Sequence, residues 1–253
     1  MLKLFKSSVV FLLLFSTNLM FADNHVPNFF PMESYQCKFE EGKGPSDLRR
    51  VADSWNKYAD KETPSYAAWL MIPNFITSSD YDVDGVWLGA WPTWQDSAST
   101  QEKLAGSAGN NQLDKFRKVW DCPTHAAYGT LTLRESTTEP SEDPFLVSVS
   151  NCTMSEGKGV MDLMGAWSEW NKYLDSLGLS SGAWAMFKGP GNPINASWDF
   201  KLLVGSSFSD QGTFAEAFVN GGGILRGQNV FEGIVECDIQ RQYNTYLMRA
   251  PSN

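Results

Sequence analysis

The sequence predicts an α+β protein of two like halves, each running strand, helix, strand, strand, helix, strand. Two observations carry that prediction. First, the chain repeats itself. Glu41-Gly42-Lys43-Gly44 returns as Glu156-Gly157-Lys158-Gly159 and Trp55-Asn56-Lys57-Tyr58 as Trp170-Asn171-Lys172-Tyr173, both 115 residues later. Asp47, Trp69 and Tyr128 return at the same offset as Asp162, Trp184 and Tyr243. A period this long is too large for a solenoid and suits two small domains. Second, the apolar pattern within each copy alternates between the strand period and helical spacing.

The first 22 residues read as a secretion signal. Lys3 and Lys6 supply the positive start, Val9 to Phe15 the apolar run, and Met20-Phe21-Ala22 a cleavage site. That run is shorter than the roughly 20 residues a membrane span needs. The first cysteine is Cys37, so no lipid anchor is expected at the cleavage point. The mature protein is expected to be exported, either periplasmic or secreted. Residues 23–33 read as an N-terminal arm, 34–133 as the first repeat, 134–144 as a linker rich in Glu, Ser, Thr and Pro, and 145–253 as the second repeat.

Within the first repeat, Tyr35, Cys37 and Phe39 alternate with polar neighbours and predict a strand over 34–39. Gly42 to Pro45 breaks it, and Ser46 or Asp47 can cap the helix that follows. Leu48, Val51, Trp55 and Tyr58 recur at helical spacing there. Strands are predicted over 66–72 and 85–91, each ended by a proline. A helical region follows over 98–120, interrupted at Gly106 to Asn110, and Cys122 opens a final strand to Leu133.

Composition bounds the partners. Loss of Lys3 and Lys6 with the leader takes the net charge from −9 to −11. Phosphate backbones and anionic membranes attract basic surfaces, so neither nucleic acid nor membrane is expected as a partner. Ten Trp, all after the leader, is an excess that needs a structural explanation.

Four cysteines in an exported chain read as two disulfides, against the rival reading of four free buried thiols. Three pairings exist. The duplication favours Cys37–Cys122 and Cys152–Cys237, because a copy that once folded alone should bring its own two cysteines together.

The element order resembles the ferredoxin-like βαββαβ fold, and two such units in one chain resemble the dimeric α/β-barrel superfamily. The resemblance covers residues 35–133 and 145–249. It implies two sheets facing each other in a fused barrel with helices outside, and a monomer, since the duplication replaces a dimer. In that fold the first and last strands are neighbours, which places Cys37 beside Cys122. The haem-degrading branch of the superfamily uses an Asn, a Trp and a His on the second helix. No His occurs on that helix in either copy, so that activity is not carried over.

Several segments compete as sites. The Trp55-Asn56-Lys57-Tyr58 word reads as packing, with Asn56 at the edge of the apolar stripe. Asp80 to Gly85 imitates the start of a calcium loop, but its twelfth position is Trp91. It reads as a turn. Along the third strand, Trp87, Gly89 and Trp91 share one face and Val86, Leu88 and Ala90 the other. The aliphatic face looks suited to helix packing, so the tryptophan face is expected to look into the barrel. Leu203, Gly205 and Ser207 are expected at the matching places of the second copy. The last strand adds His125, matched by Gln240.

His125 is the only histidine outside the N-terminal arm, which excludes mechanisms using two histidines and a His-rich metal site. No metal and no cofactor is expected. The expected function is binding of a small apolar or aromatic molecule between the sheets, with Trp87, Trp91, His125, Leu203, Ser207 and Gln240 as contacts. One alternative is a cofactor-independent oxygenase or isomerase with His125 as general base. Another is a non-catalytic interaction protein whose barrel is filled by its own side chains.

Overall fold

The structure, a computed structural model, describes residues 27–77, 82–137 and 143–252. The predicted signal peptide and the first residues of the arm lie outside the described residues. In chain order the elements are β1 (Phe29–Phe39), α1 (Pro45–Glu62), β2 (Ala67–Phe75), β3 (Gly85–Ala90), α2 (Trp94–Ala105), α3 (Ser107–Arg117) and β4 (Trp120–Arg134). The second half supplies β5 (Phe145–Met154), α4 (Val160–Ser176), β6 (Gly182–Lys188), β7 (Phe200–Ser206), α5 (Phe208–Val219), α6 (Gly223–Phe231), β8 (Val235–Cys237) and β9 (Arg241–Arg249).

All strand pairings are antiparallel and they close on themselves through β7–β5. Segments β8 and β9 follow one another along β5, so the result is a closed barrel of eight strand positions with six helices outside. Pairings β2–β9 and β4–β6 join the two halves. Among the described residues, closure leaves no long unpaired edge for another chain to extend.

Helix α1 forms where the sequence places Leu48, Ala52, Trp55 and Ala59 on one buried stripe. Its cap is Gly44 rather than Ser46 or Asp47, with Pro45 at the first helical position. The Asp47 carboxylate reaches back to accept from Gly44 N–H at 3.1 Å, and Asp162 does the same for Gly159 at 3.0 Å. The second helical region breaks at Gly106 alone, not over five residues. β1 begins at Phe29, so the last part of the expected arm is strand. Pro31 tolerates this because only its carbonyl is needed, accepting from Trp91 N–H.

Both predicted disulfides are present, Cys37–Cys122 and Cys152–Cys237, each closing a sequence separation of 85 residues. They are compatible with an oxidising compartment. The repeated Trp-Asn-Lys-Tyr word proves to be a tie between halves. Asn56 Nδ2 donates to Met248 O on β9, and Asn171 Nδ2 donates to Leu133 O on β4, both at 2.9 Å. Arg249 and Arg134 make matching ties, to Asp60 and Asp175 respectively.

The faces of β3 are the reverse of the expectation. Val86 and Leu88 point into the barrel with Met32, Met71, Tyr128 and Leu203, in a cluster that contains no helix residue. Trp87 and Trp91 lie outside, packed with Leu48, Ala52 and Trp55 of α1. The physical reason is polar as well as apolar. Each indole N–H needs an acceptor once buried. Trp87 Nε1 finds Tyr66 Oη at 2.8 Å, and Trp91 Nε1 finds Thr100 Oγ1 at 2.9 Å, both on the helix side. Among the described residues, no helix is long and apolar enough to cross a membrane.

Candidate functional site

The helix-facing side of β1 carries Glu33, Tyr35 and Cys37 at alternate positions, as the strand period requires. Tyr35 lies opposite His125 on β4 and opposite Trp87 on β3. The Tyr35 and His125 rings therefore stack, with centroids 3.8 Å apart. One step along, His125 Nε2 meets Glu33 Oε2 at 2.8 Å. The Glu33 side chain is only 5% exposed, whereas His125 is 41% exposed. The carboxylate is buried and the imidazole reaches outward.

Glu33 has further partners. Tyr66 Oη donates to Glu33 Oε1 at 2.8 Å and itself accepts from Trp87 Nε1. Tyr35 also hydrogen-bonds Glu33. Burial first, and then the Glu33 charge, raises the phenols of Tyr35 and Tyr66 well above the ordinary tyrosine value. Both therefore remain donors at any physiological pH. Tyr66 reaches Glu33 only because Gly89 lies beneath it. A Cβ at that position would sit 2.2 Å from Tyr66 Oη.

The second half holds a cavity of about 650 Å³ and the first half one of about 600 Å³, and these groups border the latter. The 600 Å³ cavity lies between the sheet and the helices of the first half. Trp55, Leu104, Leu113 and Phe116 form its wall, and Glu33, Tyr35, Tyr66 and His125 its floor. Trp55 is buried, and its Nε1 has no hydrogen-bond partner among the described residues. That indole N–H is sealed from solvent. The arrangement is an aromatic-walled cavity with the Glu33–His125 pair on its floor and Arg117 and Asp121 also on its lining.

The expected contacts are thus split. His125 and Trp87 border the first cavity, but on the helix side of the sheet rather than between sheets. Trp91 is packed beneath Tyr66, with ring centroids 4.8 Å apart. Leu203 matches Leu88 rather than Trp87, the true match being one residue off the expected one, and it belongs to the filled core of the barrel. Ser207 caps α5, its Oγ accepting from Asp210 N–H at 3.0 Å. Gln240 borders the other cavity. The interaction-protein reading anticipated no cavity, and two exist. The calcium-like turn falls partly outside the described residues. Of its carboxylates, Asp84 accepts from Phe39 N–H and Asp82 pairs with Lys38. Among the described residues no group of three or more His, Cys, Asp or Glu could hold a metal ion.

Glu33, Tyr35, Tyr66 and Trp55 were missed. A signal for two of them exists in the repeat itself. Glu33, Tyr66 and His125 stand where the second copy has Ser148, Ser181 and Gln240, so chemistry differs at positions flanked by matching words.

No family model matches the chain, and no curated protein matches it. Solved structures do. A protein from Lactobacillus acidophilus NCFM inferred to be a monooxygenase aligns with TM-score 0.51 and 8% identity, over 87% of this chain and 94% of that one. A second inferred monooxygenase, from Fusobacterium nucleatum subsp. nucleatum ATCC 25586, aligns with TM-score 0.55 and 5% identity, over 90% and 95%. At such identities the likeness is one of fold, and the fold is that of the dimeric α+β barrel proteins.

Proposed function

We propose that this chain is an exported tandem of two ferredoxin-like units, and that its first half is a cofactor-independent acid–base catalyst acting on a small aromatic molecule. The observation that carries the reading is the contact between buried Glu33 and half-exposed His125 at the floor of an aromatic cavity. A carboxylate accepting from Nε2–H fixes the imidazole tautomer and leaves Nδ1 as the basic nitrogen. His125 then removes a proton from an acidic C–H or O–H of the substrate, and Glu33 stabilises the imidazolium that forms.

Two outcomes follow from that step. Return of the proton to another carbon gives isomerisation. If dioxygen enters, a CH₂ beside the aromatic system becomes a carbonyl and one oxygen atom leaves as water. The inferred monooxygenase activity of the two aligned proteins agrees with the second outcome, although the reading rests on this chain's own side chains. Because one chain supplies both halves of the barrel, the protein acts as a monomer.

The test uses 2-tetralone, a ketone with acidic benzylic C–H bonds, in deuterium oxide. Enzyme-dependent exchange of those protons, followed by NMR and lost in His125→Ala and Glu33→Gln, supports the reading. Exchange that persists in both variants, or that never exceeds the buffer rate, overturns it. An oxygen electrode on the same mixture separates oxygenation from isomerisation.

A further inference from the structure

The second half has a cavity of its own, about 650 Å³, between β5, β6 and β7 and the helices α4, α5 and α6. Its floor is built from the positions that carry the chemistry in the first half, but with different residues. Ser148 stands for Glu33, Ser181 for Tyr66, Leu202 for Trp87, Ser206 for Trp91 and Gln240 for His125. The strand register fixes this correspondence. Glu33 lies opposite Gly89 and Cys37 opposite Gly85, just as Ser148 lies opposite Val204 and Cys152 opposite Phe200. These five exchanges each put a smaller neutral side chain where the first half has a larger or ionisable one, against one exchange in the other direction, Val204 for Gly89. The floor is lowered, and it loses its carboxylate and imidazole together.

The walls remain aromatic, with Trp167, Trp170, Phe214 and Phe231 facing the lowered floor. Two charged side chains border the space and both are committed elsewhere. Arg134 is held by Asp175 and by the carbonyls of Ser181 and Leu179. Asp210 accepts from Ser180 N–H at 2.8 Å and from its Oγ at 2.7 Å. An ionic ligand would meet no free counter-charge here, and desolvating it would cost several kcal/mol. The mouth is apolar too. Val219 and Ile224 border the cavity while being 64% and 41% exposed, and Phe208 and Leu225 on the same two helices are 52% and 66% exposed. Such a rim is costly in water unless something apolar passes over it.

We propose that the second half is a separate binding site for a neutral apolar molecule, cyclic or polycyclic, carrying a hydrogen-bonding oxygen that Ser148, Ser181 and Gln240 receive. The volume lies within the roughly 300–1,000 Å³ common for small-molecule sites. The two halves have diverged into one ionisable chamber and one neutral chamber. This does not rest on the catalytic reading of the first half.

The test titrates the full mature chain with N-phenyl-1-naphthylamine, a neutral probe that brightens in apolar surroundings, and displaces it with 1-naphthol or 2-naphthoate at pH 7. Saturable binding displaced at least tenfold better by 1-naphthol than by 2-naphthoate is expected. Leu202→Trp, which returns the first half's indole to the floor, should weaken it at least tenfold. Ile224→Arg at the solvent-facing mouth should weaken it severalfold without risk to the core. Leu113→Trp, which fills the other cavity, should leave it unchanged. No saturable binding overturns the proposal, as does equal displacement by the carboxylate. So does loss in Leu113→Trp with retention in Leu202→Trp, each variant's fold being checked by its thermal transition.

Discussion

Glu33 on β1 and His125 on β4 are joined at 2.8 Å, with the carboxylate 5% exposed and the imidazole 41% exposed. Buried charge is tolerated when it is paired and hydrogen-bonded, and Glu33 takes partners from three side chains. Replacing it with Gln preserves shape but leaves two tyrosine donors facing a weaker acceptor. Under the proposed function, Glu33→Gln should lower the 2-tetralone exchange rate about 100-fold or more, with a smaller change in half-saturation. Equal rates in the two proteins would remove Glu33 from the mechanism.

Tyr66→Phe tests the same network by stability. The lost hydroxyl leaves Trp87 Nε1 without its acceptor and Glu33 with one donor fewer, both in buried positions. Destabilisation of about 1–3 kcal/mol is expected, read from urea unfolding.

Gly89→Ala should be damaging out of proportion to one methyl group. The added carbon would meet Tyr66 Oη at 2.2 Å, and the ring is pinned between Trp55 and Trp91. A cost of about 1–3 kcal/mol is expected, with a lowered Tm as the readout.

Removing the Cys37–Cys122 bridge by a Cys→Ser pair opens an 85-residue loop. The chain-entropy account gives a loss of about 4.5 kcal/mol, measured as a shift in urea midpoint between the variant and the oxidised parent. The matching loop length of the second bridge predicts a similar loss there.

Lys201 gives a pH signature. Burial, and then the nearby Arg241 charge, push its ammonium down to about 8, against a smaller opposing pull from Asp238. Between about 8 and the ordinary lysine value of 10.5 the unfolded chain binds more protons than the folded one, so stability rises with pH across that window. The rise is up to about 3 kcal/mol. Tyr35 acts oppositely, since its raised phenol makes stability fall above pH 10. Urea midpoints between pH 7 and 10 should therefore climb in the parent and stay nearly flat in Lys201→Met.

Much of the architecture is legible in the chain. The repeated words, the alternation of Tyr35, Cys37 and Phe39, and the stripe of Leu48 and Trp55 are local patterns. Local patterns specify elements, and duplication specifies which cysteines meet. What the chain alone determines is therefore the α+β element order and the two bridges. Which face of β3 turns inward was decided by tertiary structure, because period two separates the faces of a strand without saying which is buried in the barrel. Trp87 went to the helix side because its N–H found Tyr66 there. The pairing of Glu33 with His125 depends on the register of β1 against β4, 92 residues apart in sequence, and only folding sets that distance.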